Sequence, residues 1–201
     1  MAEVEDGFER GGAPLLGEPL AVELANTRYA VRGDPCDGLL FPSHLAGWLQ
    51  DSRHRFTVQL TPDVVRAVGT GDLQDARGLR DLSHRLLSAT IEGRVPDSDD
   101  VRQLNRWSRA IYFWPVLTWQ GELPHSRTCH DDDVILAALT EIAHNLIELL
   151  GGPSRAQLRA CHAPGCVLFF VKDHPRREWC SAACGNRARV ARFHHRHSAG
   201  E

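Results

Sequence analysis

Apolar positions over the first 150 residues recur at helical spacing in several separate stretches. In "PLAVELANTRYA", Leu20 and Leu24 lie four apart, as do Ala21 and Ala25, which predicts a helix. "RGDPCDGLLFPS" breaks the pattern with Gly, Pro and Asp and reads as loop. Ser43 stands where it would cap a helix over "HLAGWLQ". Thr61-Pro62 opens another over "DVVRAVG", with a hydroxyl cap and a proline at the first helical position. "DLQDARGLRDLSHRLLSATIEG" carries Leu79, Leu82, Leu86 and Leu87 on a core-facing helix. Ser98, followed by Asp99 and Asp100, starts a helix through Leu104 and Trp107. The pattern then changes: "FWPVLTW", a Gln120-Gly121 turn and "ELPH" predict a short hairpin. The clearest helix follows, with acids in the first turn of "DDDVILAALTEIAHNLIELLGG" and Ile135, Leu139, Ile142, Leu146, Leu149 and Leu150 within. Gly151-Gly152-Pro153 stops it.

Beyond Pro153 the chain is too short to bury a core of its own, since units below ~40 residues usually need a metal or a disulfide. That segment holds four of the six cysteines, at Cys161, Cys166, Cys180 and Cys184. Two close pairs on either side of a short segment suit one tetrahedral Zn²⁺, each pair folding the backbone around an edge of the ion. The intervening residues read as a strand "VLFFV", a turn "KDHPR" and a returning strand "REWC". Ser181 then caps a helix whose first turn carries Cys184. Knuckle, hairpin and ligand-bearing helix make a treble-clef-like arrangement. Four buried thiols or two disulfides are the competing readings. The acidic N-terminus "MAEVEDGFERGG" has no apolar secretory core, which points to the cytoplasm, where thiols stay reduced and paired cysteines read first as metal ligands. Four protein ligands make the expected zinc structural, one per chain, with His162 and His174 exposed bystanders.

Charge sharpens this division. Residues 1–150 carry 14 Arg and no Lys against 23 acids, whereas residues 151–201 carry 9 basic residues against 3 acids. A basic module on an acidic body suggests a polyanion as partner. On the expected C-terminal helix Arg189, Arg192 and Arg196 form one stripe, with Lys172, Arg176 and Arg177 at the hairpin tip. Val190 and Phe193 lie on another side, available to pack on Phe169, Phe170 or Trp179. Arg187 can either meet phosphate or neutralise the zinc thiolates, and Asn186 can read a base edge or serve local helix geometry. His194, His195 and His197 read as a frayed tail rather than a metal tract.

The string Cys184-Gly185-Asn186-Arg187, within "WCSAACGNRARVARFHHRH" and preceded by "CHAPGCVLFFVKDHPRREWC", resembles the CGNR zinc finger. Here three residues separate the last two cysteines, where that family often has four; both spacings suit a first-turn ligand. Upstream, "LAVELANTR" and "LLFPSHLAGWL" are similar to the opening of the ABATE domain, found in stress-induced transcription regulators. The resemblance implies a transcription regulator, and the basic stripe and hairpin tip point to double-stranded DNA as its partner.

These readings give a mainly α protein. A disordered leader spans 1–14, a helical domain with a short β-hairpin spans 15–152, and a zinc finger of hairpin and basic helix spans 153–201. The helical domain would sense a small-molecule effector or form a homodimer, with Asn26 and Arg28 at the mouth of a pocket near Trp48, Trp107 and Trp114. No catalytic-metal spacing, Gly-rich phosphate loop or nucleophile elbow appears, so an enzyme is not expected. Cys129-His130 reads as loop before the acidic helix start. The five-residue run Val167–Val171 is far too short for a membrane span, and no membrane partner is expected. A zinc-stabilised protein adaptor is the alternative function.

Overall fold

The computed structural model describes residues 11–131 and 133–198, with the side chains of Gln120 and of 194–198 outside the described set. The chain is helical over about 51% of its length, with short β-hairpins, so the mainly α class holds. Three mutually packed helices build the core: α1 (Leu20–Ala25), α4 (Thr70–Ile91) and α6 (Val134–Gly151). Every residue of α1 is buried, Glu23 included, so the helix has no solvent-facing side. Leu24 on α1 meets Leu79, Leu82 and Leu86 on α4 and Leu139, Ile142 and Leu146 on α6 in one continuous cluster. α2 (Pro42–Ser52), α3 (Pro62–Arg66) and α5 (Ser98–Trp107) close around this trio.

The caps explain where the helices start. Thr61 accepts a hydrogen bond from Val64 N, and Asp133 accepts one from Leu136 N at 2.9 Å. Ser43 does not cap α2. The helix opens one residue earlier with Pro42 at its first position, so Ser43 already lies inside it. Among the described residues α6 is the one helix long and apolar enough to cross a membrane, and half of it is buried in this core.

Two hairpins differ from the sequence reading. "RGDPCDGLLFPS" is not all loop: β1 (Arg28–Val31) and β2 (Asp34–Asp37) pair antiparallel around Arg32-Gly33. Both turn residues have positive φ, 55° and 95°, the backbone of the tight turn that matches strand twist. Pro35 is tolerated because each strand of a two-stranded ribbon is an edge. The second hairpin, β3 (Phe113–Gln120) with β4 (Leu123–His130), is longer than expected and turns at Gly121-Glu122. Its β4 includes Cys129 and His130, which the sequence placed in a loop. Phe113 anchors its root against the His130 and His144 rings, while Leu117, Trp119 and Leu123 toward the tip are exposed.

Of the leader, residues 1–10 lie outside the described residues. Residues 11–14, expected to be disordered, lie against the first hairpin. Tyr29 Oη donates to Gly11 O at 3.0 Å, and a Cβ at Gly11 would sit 2.0 Å from Gly38 O.

Candidate metal centre and nucleic-acid interface

After α6 a 3-10 turn (Pro153–Gln157) leads into β5 (Leu158–Ala160), which pairs antiparallel with β6 (Phe169–Val171). The strand partner is therefore not "REWC", which is irregular and bends at Trp179-Cys180. The reason lies in alternation along β6. Phe169 points into the body core beside Leu158, and Phe170 points the opposite way into a second, smaller core around the cysteines. A partner strand leaving α6 serves both cores at once. The loop from β5 to β6 then carries the first cysteine pair, and its turn is closed by Cys166 N donating to Ala163 O at 2.9 Å.

Cys180 returns without a strand because Arg177 replaces the ladder. Its guanidinium donates to the carbonyls of Val171, Trp179 and Cys180, to Asp173, and to Glu18 of the body, and it lies 5.0 Å from the centre of the Phe170 ring. Arg177 was expected to face nucleic acid; with its donors committed this way it is a brace, and that expectation is corrected. Glu18 is 2% exposed and also accepts from Val171 N at 2.8 Å. Burial pushes its carboxyl upward, against the pull of the Val171 amide and Arg177.

α7 (Ala182–Ser198) begins as its sequence predicts: Ser181 Oγ accepts from Cys184 N at 3.3 Å. The sulfurs of Cys161, Cys166, Cys180 and Cys184 all lie within 4.8 Å of one another, with Cys166 to Cys180 at 3.8 Å and Cys180 to Cys184 at 3.4 Å. Sulfurs bound to one tetrahedral Zn²⁺ at about 2.3 Å lie about 3.8 Å apart. The spacings are too long for disulfides, which need about 2.05 Å. Among the thiols themselves, hydrogen bonds from Cys166 and Cys180 draw the Cys161 thiol far down, while Cys166 is pushed up to about 11 by its bond to Cys161. Cys180 is driven higher still, chiefly by Cys161 and then Cys166. One thiolate held by neighbouring thiols is a set that a divalent cation would complete by displacing the remaining protons.

Nearby residues fit this centre closely. Arg187 Nη2 donates to Cys184 Sγ at 3.2 Å, so its neutralising role has a contact behind it. A Cβ at Gly185 would meet the Trp179 ring at 3.1 Å, which accounts for the glycine after the last ligand. Gly165, with φ of 70°, packs on Gly33 at the β1–β2 turn, and Leu16 and Tyr29 complete the small core. Sequence reasoning missed Glu18, Leu16, Tyr29 and Gly33; only the charge at Glu18, beside an otherwise apolar helix start, carried a signal. His162 and His174 are exposed, as expected.

Arg176, Arg187, Arg189 and Arg192 are exposed, and Lys172 is half-buried at the end of β6. Arg189 donates to Asn186 Oδ1, and Arg192 Nε reaches Ala188 O at 3.4 Å. Arg196 belongs to α7, but its side chain, like those of His194, His195 and His197, lies outside the described residues. Val190 and Phe193 are 56% and 53% exposed.

Asn26 and Arg28 do not form a pocket mouth. Asn26 is 1% exposed; its Nδ2 donates to Phe169 O at 2.9 Å and its Oδ1 accepts from Phe169 N at 2.8 Å. Arg28 pairs with Asp81 at 2.9 Å. A cavity of about 290 Å³ lies elsewhere, between residues 11–15 and the α2 side chains His44, Trp48 and Asp51.

Two family matches divide the chain just after α6, although Leu158 and Phe169 of the second pack in the core of the first. Residues 18–153 match ABATE, "Putative stress-induced transcription regulator", and residues 157–197 match the CGNR zinc finger. No curated protein matches the chain. The protein belongs to the ABATE family and ends in a CGNR zinc finger, whose Cys161, Cys166, Cys180 and Cys184 hold one structural zinc.

Proposed function

We propose that this protein is a DNA-binding transcription regulator, acting in the cytoplasm and without enzymatic activity of its own. The observation that carries the reading is that Arg176, Arg189 and Arg192 are exposed on a small module fixed by metal. A set of exposed arginines on a rigid element is the footprint of phosphate contact. Zinc here supplies no reaction; it holds α7 against the β5–β6 hairpin so that the arginines keep their spacing. Fluorescence anisotropy on duplex DNA at several salt concentrations tests the reading. Changing Arg189, Arg192 and Arg196 to Ala leaves zinc content and thermal unfolding intact and lowers affinity. The slope of log K against log salt flattens by about 0.9 for each phosphate no longer neutralised, so by up to ~3. Unaltered affinity and slope would remove the stripe from the function.

A protein-adaptor role is the second reading, favoured by the β3–β4 arm. There Leu117, Trp119 and Leu123 are each 66% exposed, an apolar surface that suits a protein partner. Stable co-purification of one partner, lost on Trp119→Ser, would support it.

A further inference from the structure

Beyond its root, the β3–β4 arm stands largely by itself. Each strand is eight residues long, about 27 Å of extended chain, and neither packs extensively on any described element except its partner strand. The root is held where Phe113 meets the His144 ring of α6. Directly opposite residues of an antiparallel pair share a face, so Pro115, Leu117 and Trp119 on β3 lie beside Thr128, Ser126 and Pro124 on β4. All six are exposed and none is charged, in a chain where 24% of residues are. The opposite face carries Arg127 and Leu123. Proline has no N–H to give the ladder, so Pro115 and Pro124 stand where the backbone points outward, one on each edge of the ribbon. They interrupt both edges against strand addition, which leaves the uncharged face as the surface a partner can meet.

We propose that a second copy of the chain docks on this face, arm against arm about a two-fold axis. A two-stranded ribbon is marginal by itself in water, and an apolar face on one calls for a covering layer. Charge selects the occupant. A polyanion finds no cation among the six residues. In a two-fold contact the side chains near the axis meet their own copies, so a charged face repels itself and an uncharged one is self-complementary. The bodies, with their excess of acids, repel each other. An arm about 27 Å long carries the contact beyond the 8–10 Å or so over which charge acts at ordinary ionic strength. Six side chains from each copy are fewer than the roughly 20–30 residues of a standard interface, so the dimer dissociates on dilution, in the micromolar range.

The pairing needs no DNA, and it differs from the adaptor reading in that the partner is the chain itself. Sedimentation velocity on zinc-loaded full-length protein, from low micromolar to near-millimolar concentration, reads it without any variant. The expected result is a reversible monomer–dimer equilibrium. Leu117→Glu and Leu117→Lys each weaken the dimer by at least about tenfold, because like charges then face each other near the axis. An equimolar mixture of the two restores pairing, which a separate protein partner would not produce. Leu123→Ser, on the other face, leaves the equilibrium as in the parent. Zinc content and circular dichroism melts, taken where every sample is monomeric, show that the variants fold. A parent that stays monomeric throughout overturns the proposal and, if it still binds duplex, leaves the DNA reading standing. A monomeric parent that captures one other protein through Trp119 overturns it in favour of the adaptor reading. A dimer that Leu117→Glu leaves intact, or a mixture that does not pair again, overturns it as well.

Discussion

Arg177 and Glu18 show how one charged pair can fix a module on its body. Glu18 is almost wholly buried, with one carboxylate oxygen on Val171 N and the other on Arg177. Removing the arginine leaves that carboxylate without its counter-charge, a loss of about 3–5 kcal/mol for buried pairs. Arg177→Ala is therefore expected to lower thermal stability and zinc affinity while leaving the salt slope of DNA binding unchanged, the reverse of the Arg189 and Arg192 variants. Calorimetry and a zinc competition assay on the same samples check it; an unmoved melting temperature would remove Arg177 as a brace. His84 gives a pH signature at the same scale. It packs on Phe169 at 4.9 Å, and burial first, then Arg28, hold its pKa below the ordinary histidine value, with Asp81 opposing. The unfolded chain thus takes up the proton first, so stability is full above about pH 6.5 and falls as pH drops through the window below it. His84→Gln should flatten that fall relative to the parent, at fixed excess zinc, in denaturant titrations between about pH 5 and pH 7. Of these residues the sequence revealed the four cysteines, because ligand spacing is local. It concealed Asn26 and Glu18, because their partners lie more than 140 residues away.

Among the elements, β6 is the one that serves both cores, through Phe169 on one face and Phe170 on the other. One edge pairs with β5, and on the other the Asn26 side chain takes both backbone groups of Phe169, acting as a one-residue strand. Asn26→Leu leaves a buried N–H and C=O of Phe169 unpaired, at about 1–3 kcal/mol each. The expected outcome is faster amide exchange over residues 158–171 and weaker zinc retention, with α4 and α6 exchanging as in the parent. Exchange unchanged at β6 would show that Asn26 is dispensable. The helices were legible in the sequence because periodicity and caps are local signals. The partner of β6 was not, since "LRA" and "REWC" are equally able to pair and only the two cores decide between them. Nor does helical periodicity say which way a face points. Val190 and Phe193 share a side of α7, but that this side faces outward follows from Cys184 and Ala188 occupying the inner one.

At the scale of the whole molecule, body and finger are two cores joined by a shared strand, and the metal should be felt on both sides of it. The sequence division at Gly151-Gly152-Pro153 suggests a body indifferent to the finger. The packing suggests otherwise: Phe169 and Leu158 belong to the body core, and Asn26 and Glu18 are buried polar groups satisfied by finger backbone and Arg177. When zinc is removed, the β5–β6 loop and the start of α7 lose their anchor, and these body groups lose their partners. Two buried polar groups left unpaired amount to about 2–6 kcal/mol. In a chain of this size each kcal/mol moves the melting temperature by about 2–4 °C. Chelation, or Cys180→Ser, should therefore remove the helical signal of α7 at about 25 °C and keep that of α1, α4 and α6. It should also lower the melting temperature of what remains by roughly 5–20 °C. Circular dichroism melts with and without chelator check this, with Asn26→Leu as a control whose body is already uncoupled and should shift less. A body melting at the same temperature with and without zinc would mean that the strand is shared in geometry and not in free energy.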